Sequence, residues 1–307
     1  MSLIMSSSHS SDSPQSPEVS VIVPCYNSAR TIRQCLTAII NQQTSVSFDI
    51  TVVDSSTDET PDIVVREFPA VRLIHMDKRT FAGTARNIGI GATVAPYCFM
   101  IDSDCIANSD VIERAIRRHR EAEYAAVGGS LRNGTPESLS GLIGYLIEFK
   151  EFMPQTPERF EISIPTANLA YRREILERYG CFDDVMEFAE DISLNWKMYN
   201  AGERLLFDPT IEVTHLNRTG WQKVLSYQVE LGRTSALARK RSGLPGKILL
   251  DFPVLITLMP FVRTLRAIQW LAKHNKKMLP LFCLICPLYL LAAVYWSYGF
   301  LQEVLQD

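Results

Sequence analysis

The run "YCFMIDSDCIAN" (97–108) is apolar until it ends in two carboxylates one residue apart, Asp102 and Asp104. A strand that stops in paired acids either leaves the core for a polar loop or delivers two carboxylates to a cation. A third acid, Asp54, closes another apolar run, "FDITVVD" (48–54). A second kind of chemistry is available at "FAEDISLNW" (188–196), where Glu190 and Asp191 are adjacent. Neighbours on a helix point about 100° apart, so only one of the two can face a reacting centre and take a proton from an attacking hydroxyl. An acidic helix start stabilised by the helix dipole is the plainer reading of the same pair. His215 ends a strand-like run in "VTHLNRTGW", where a neutral imidazole could bind a metal or a phosphate, although a lone histidine is more often structural.

These residues need elements to hold them. "VSVIVP" from Val19 is a β-branched run, and in "ARTIRQCLTAIINQ" (29–42) Ile32, Leu36, Ile39 and Ile40 fall at helical spacing. The alternation continues through "FDITVVD", the helical "IVVREF", "VRLIHM" (71–76), a helix start at "AGTARNIGIGA", "YCFMID", the helix "DVIERAIRRHREAE" (110–123) and the strand "YAAVGGS" (124–130). Such a pattern predicts an α/β domain with a mainly parallel sheet, whose ligands sit beyond the carboxyl ends of the strands. Pro24 to Asn27, Asp54 to Asp58 and Asp102 to Asp104 all follow strands and are expected along one edge. Three acids there repel one another unless a cation or hydrogen-bond donors lie among them.

The ordered elements "VSVIVPCYNSARTIRQCL", "ITVVDSSTDET", "AGTARNIGI", "FMIDSDC", "TANLAYRREILERYGCFDD", "EDISLNWKMYNAG" and "HLNRTGW", spread over residues 18–221, resemble the family 2 glycosyltransferases of GT-A (Rossmann-like) fold. The resemblance implies transfer of a sugar, with inversion, from a nucleotide-diphosphate sugar to a hydroxyl acceptor, assisted by Mg²⁺ or Mn²⁺. It implies Asp104 as metal ligand with His215 as a further metal or phosphate contact. Asp102 and Ser103 fall on the donor, Pro24, Tyr26, Asn27 and Asp54 about its nucleotide, and Arg86 near its phosphates. Asp191 is the implied base with Glu190 bracing it, and Thr166, Ala167 and Asn168 form the small-residue run under the sugar. Trp221 either stacks on the acceptor or seats the next helix. The chain departs from the family pattern where "DSSTD" (54–58) is one residue short, and where Ser193 and Lys197 stand in place of an Asp and an Arg. The base pocket is therefore expected to be reshaped.

Two other classes stay open on residues alone, an aspartyl-nucleophile phosphohydrolase and a non-catalytic nucleotide binder. The D-x-D follows a fourth strand and continues with Cys105, unlike the phosphohydrolase pattern, and the intact Glu190–Asp191 pair disfavours a mere binder. A net charge of -3 gives no case for nucleic acid. Seven cysteines, odd in number and scattered through apolar segments, read as reduced structural thiols.

The two ends differ from the middle. Residues 1–17, rich in Ser and Pro without a basic or apolar signal region, read as a disordered tail ahead of the 18–222 domain. A basic amphipathic helix or linker is expected over 223–247, where Arg233, Arg239, Lys240 and Arg241 suit an anionic membrane surface. In the membrane-associated region 248–307, the segment 248–262, broken by Asp251, Pro253 and Pro260, reads as interfacial, and the uncharged 279–301 as transmembrane. Arg263, Arg266, Lys273, Lys276 and Lys277 between them place that side, with the catalytic domain, in the cytoplasm at the inner membrane. A lipid-linked acceptor follows as an expectation.

Overall fold

The computed structural model describes residues 16–184 and 186–306, so the tail expected at 1–17 lies almost wholly outside the described residues. β1 (Val19–Cys25), buried at every position, pairs in parallel with β2 (Phe48–Asp54) and with β4 (Tyr97–Ile101), and β2 pairs in parallel with β3 (Arg72–His75). The intervening helices are α1 (Ile32–Ile40), α2 (Thr60–Glu67) and α3 (Ala82–Gly91). The buried faces of α1 and α2 and the sheet residues Val21, Val23, Val52 and Phe99 form one core layer. This half matches the expected βαβ pattern.

The other half is mixed, and periodicity carried no sign of strand direction. β5 (Cys105–Ala107) and α4 (Val111–Glu121) lead to β6 (Ala126–Asn133), then α5 (Leu139–Phe149), β7 (Arg159–Phe160), β8 (Asn168–Arg172), α6 (Arg173–Tyr179), α7 (Glu190–Asn200) and β9 (Leu205–His215). The sheet order is β3-β2-β1-β4-β8-β6-β9-β5, with β7 also on β9. β8 runs antiparallel to both β4 and β6, β6 and β9 are parallel, and β5 and β7 are antiparallel to β9. The sheet is thus mixed rather than mainly parallel. Reversal of β8 keeps the chemistry on one edge, because its first residue, Asn168, lies opposite Ile101, the last of β4. The parallel pair β6–β9 ends at the same edge with Asn133 opposite His215.

Beyond β9 the chain becomes helical: α8 (Trp221–Ser242), α9 (Ile248–Asp251), a 3₁₀ segment (Pro253–Leu258), α10 (Met259–His274) and α11 (Leu279–Val304). Of the basic stretch expected as a linker, Arg263, Arg266 and Lys273 are instead part of α10, and Lys276 and Lys277 lie in a short 3₁₀ turn between α10 and α11. Two stretches, 253–274 and 276–304, are long and apolar enough to cross a membrane, and they fit membrane association. α8 and α11 meet backbone to backbone at a reciprocal glycine pair. A Cβ on Gly232 would lie 2.0 Å from the Trp296 carbonyl oxygen, and one on Gly299 would lie 1.9 Å from that of Val229. Glycine within a helix costs about 1 kcal/mol against alanine, so its presence twice marks a contact worth more. Gly299→Ala is expected to lower stability by about 1–3 kcal/mol despite its better helix propensity. Thermal denaturation of the full chain checks this.

Candidate active site

The D-x-D is positioned by the strands on both of its sides. β4 ends at Ile101, and the next strand, β5, pairs antiparallel with the end of β9 so that Cys105 lies opposite His215. The Leu216 N–H donates to the Asp104 carbonyl at 2.8 Å, fixing the turn between them. As a result His215 Nε2 stands 3.5 Å from Asp104 Oδ1. His215 is buried, and its tautomer follows from its other nitrogen. The Asn217 amide nitrogen donates to Asn133 Oδ1 at 2.7 Å and to Thr135 Oγ1 at 3.1 Å, which turns Asn217 Oδ1 toward His215 Nδ1 at 3.0 Å. An acceptor there requires the proton on Nδ1 and leaves the Nε2 lone pair facing Asp104. Asp104, Cys105 and His215 offer ligand atoms within 4.8 Å of one another. Burial holds the Cys105 thiol well above its usual range, so it stays protonated.

Asp102 faces the other way. Its Oδ1 accepts from Arg86 Nη2 at 2.7 Å, while the second arm of Arg86 pairs with Glu190. Arg86 is buried on α3, so this guanidinium bridges the end of β4 to the start of α7. Both arms are given to carboxylates rather than left open to a phosphate. Burial raises the Glu190 carboxyl, Arg86 opposes that shift and Asp191 adds to it. Asn87, beside it, binds the Phe182 carbonyl and Asp184 Oδ1, each at 2.8 Å, and packs the segment ahead of α7.

That segment turns into α7 through Ala189, whose φ of 63° is a left-handed conformation costly for a residue with a Cβ. Two ties fix the helix: Asn195 donates to the Ile164 carbonyl at 3.0 Å and accepts from the Tyr171 hydroxyl at 2.7 Å. Asp191 then accepts from the Thr166 N–H at 3.3 Å and hydroxyl at 3.4 Å. Its carboxyl is raised by burial, with Arg86 pulling the other way. Thr166 thereby joins the site, and Ala167 is buried beside it. Asn168 does not, because its amide nitrogen donates to the Ile211 carbonyl at 2.8 Å and the Ser130 carbonyl at 3.2 Å, at the bulge between β6 and β9.

The β1–α1 and β2–α2 turns are laced together at the other side. The Asn27 N–H donates to Ser56 Oγ at 2.7 Å, and Asn27 Oδ1 accepts from the Thr57 N–H at 3.0 Å. Ser28 and Ser103 share a hydroxyl hydrogen bond of 2.7 Å, tying this turn to the D-x-D. Pro24 sits inside β1, whereas Tyr26 is exposed with Arg79 5.0 Å above its ring. The fully buried Asp54 accepts from Ser56 Oγ at 2.5 Å and meets His75 Nδ1 at 2.7 Å. His75 was not singled out from the sequence, although it ends "VRLIH" and the strand-end rule covers it.

Arg218 was also missed. It lies 3.8 Å above the Tyr227 ring; partial desolvation of its guanidinium lowers its pKa, but Tyr227 first, then Glu148, Asp104 and Asp102, raise it overall. Arg79, Arg218, Lys223 and Tyr227, together with Glu187 and Glu230, line an open groove of about 680 Å³. Trp221, at the start of α8, is 37% exposed, so it does not serve as core. All seven cysteines are free thiols.

The family model for glycosyl transferase family 2 matches residues 20–180. Among curated proteins the chain is 30% identical over 219 residues to the succinoglycan biosynthesis protein ExoO of Rhizobium meliloti (strain 1021), covering 66% of this chain and 62% of that protein. It is 24% identical over 222 residues to the glycosyltransferase AglE of Haloferax volcanii, covering 71% and 72%. Among solved structures, mannosyltransferase PcManGT from Pyrobaculum calidifontis, in complex with GDP-Man and Mn²⁺, superposes with a TM-score of 0.66 at 19% identity. That alignment covers 96% of this chain and 89% of that one. At this identity the likeness is one of fold, a GT-A-type sheet with following helices.

Proposed function

Because the chain belongs to glycosyl transferase family 2, we propose that it moves a sugar from a nucleotide-diphosphate donor to a hydroxyl acceptor by a single inverting displacement. The observation that carries this reading is the convergence of Asp102, Asp104, His215, Thr166 and Asp191 on one sheet edge, braced through Arg86. In it, Asp191 accepts the acceptor proton as the hydroxyl oxygen bonds to the anomeric carbon. Glu190 holds Arg86, and Arg86 holds Asp102 against the donor. Asp54 and the Asn27 turn meet the nucleotide, and His75 already occupies part of the Asp54 carboxylate, which fits the shortened "DSSTD" loop. Arg218 lies where it can meet the departing diphosphate. The open groove that Arg218 lines is assigned to the acceptor, with Trp221, exposed at the start of α8, as a further acceptor contact; the acceptor is proposed to be a hexosyl-accepting, membrane-delivered glycan or lipid. Family membership removes the phosphohydrolase alternative.

A divalent metal fits the residues present. A carboxylate oxygen and an imidazole lone pair oriented by Asn217 suit Mg²⁺ or Mn²⁺ poorly and well respectively, since nitrogen ligation favours the later ion. Bound between Asp104, His215 and the donor, such an ion would neutralise charge growing on the diphosphate. Asn217 touches no ligand position itself, yet it sets the tautomer of His215. Asn217→Ala is therefore expected to weaken Mn²⁺ affinity about 10–100-fold, read by titration calorimetry with the metal alone, and to narrow the preference for Mn²⁺ over Mg²⁺.

The overall reading is tested by screening nucleotide-sugars for metal-dependent binding and slow donor hydrolysis by the full chain. A donor that binds and is transferred supports it. Donor binding without turnover on any acceptor would instead assign a non-catalytic nucleotide binder.

A further inference from the structure

We propose that the C-terminal helices form an in-plane seat on an anionic membrane, with α11 lying along the catalytic domain rather than crossing the bilayer. Both ends of α11 are held by polar groups of the rest of the chain. Before its first turn, Asn275 donates to Gln155 Oε1 at 3.4 Å. At its last turn, Lys240 Nζ donates to the Glu303 carbonyl at 2.7 Å, and Arg233 Nε stands 3.7 Å from the Glu303 carboxylate.

Between those ends the helix is docked along its length. Phe282, Ile285 and Tyr289 pack on Leu142, Ile143 and Leu146 of α5, and the Gly232–Gly299 contact locks the second half onto α8. A helix of 26 residues spans about 39 Å, enough to cross a hydrocarbon layer of about 30 Å. Crossing would, however, either strip α11 from α5 and α8 or carry those docked helices, with Glu148 of α5 and Glu230 beside the glycine contact of α8, toward that layer, a placement disfavoured for charge.

The docked helix still leaves an apolar surface uncovered. Only 28% of each candidate spanning window is buried, so neither is the core helix of a soluble domain. Leu284, Leu291 and Val294 are exposed along one stripe of α11, and Phe261 and Leu265 of α10 are exposed in line with Leu258 just ahead of it. Lys273, Lys276 and Lys277 lie exposed at the joint between the two helices, with no acid between Asp251 and Glu303. Apolar stripes flanked by the exposed Arg266 and rimmed by lysines fit acyl chains beneath anionic headgroups. A second copy of this chain would bring the same lysines against one another.

The test needs no sugar substrate, so it stands apart from the transfer reaction. Full-length protein is sedimented with vesicles of phosphatidylcholine containing about one third phosphatidylglycerol, a composition that supplies the negative surface potential invoked here. Binding is expected, weaker on pure phosphatidylcholine and in high salt. The double variant Phe261→Asp/Leu265→Asp is expected to bind at least about tenfold more weakly, with an unchanged melting curve because both positions are exposed. In inverted membrane vesicles, external protease is expected to remove a C-terminal tag together with the catalytic domain. A tag protected while the catalytic domain is digested would show a spanning α11 and overturn the proposal. Absence of vesicle binding, undiminished binding by the double variant, or a lipid-independent dimer through this face would overturn it too.

Discussion

Asp191→Asn is expected to lower kcat by about 10²–10⁴-fold, the range removed with a general base, while donor affinity stays unchanged. Asparagine keeps the shape of the side chain, and its amide oxygen can still accept from the Thr166 N–H now 3.3 Å away. The loss is therefore chemical: the acceptor hydroxyl has no group to take its proton. Calorimetry with donor and single-turnover kinetics separate the two quantities. Retained turnover would remove Asp191 from the role of base.

The sign of the stability change tells a base from a structural acid. Burial raises the Asp191 carboxyl above its ordinary value in the folded chain. A raised carboxyl favours the fold when protonated, and that contribution is lost as pH rises through the folded value. Near pH 7 the ionised Asp191 is thus a burden that asparagine lifts, and the variant should melt slightly higher than the parent. A structural carboxylate paired for stability would do the opposite. The same shift moves the acid limb of kcat/KM above the ordinary aspartate range of about 3.9, because turnover needs the ionised form. Lowering the pH through that limb should silence the parent enzyme before it unfolds it.

What the residues disclosed depended on how local the cause was. Asp54, Asp102 and Asp104 were legible because each ends an apolar run, and the strand-end rule needs no knowledge of pairing. β8 was not, since "NLAYR" is five residues ahead of a helix and nothing local states that it runs backwards between β4 and β6. That reversal is what brings Thr166 beside Asp191. The Asn168 amide went unread for the same reason, as both carbonyls it serves belong to β6 and β9, distant in sequence. Composition revealed the apolar character of α11, but the contact that ties it down rests on two glycines whose meaning appears only when α8 lies against it. His75 is the exception, a strand-end histidine opposite Asp54 that the rule already covered.

Arg86→Met should have the largest effect on the fold. The guanidinium is 3% exposed and serves Asp102, at 2.7 Å, and the nearly buried Glu190 at once. Methionine fills much of the same volume but leaves both carboxylates without their cation. Removing one partner of a buried pair costs about 3–5 kcal/mol, which is a large share of the 5–15 kcal/mol that holds a typical domain together. Glu190 limits the loss by taking a proton, its carboxyl being already raised by burial. In denaturant unfolding, the stability lost by the single variant should therefore shrink at lower pH, where protonation of Glu190 removes the unpaired buried charge. Adding Glu190→Gln should recover part of the lost stability, since the double variant buries no unpaired charge there, and the coupling is read from a double-mutant cycle. Activity should not return with it. Asp102 remains unanchored in the double variant, and α7 loses the bridge that sets Asp191 against the end of β4. Recovery of stability without recovery of turnover would separate the two duties of this one arginine, neutralising buried acid and aligning the two halves of the site.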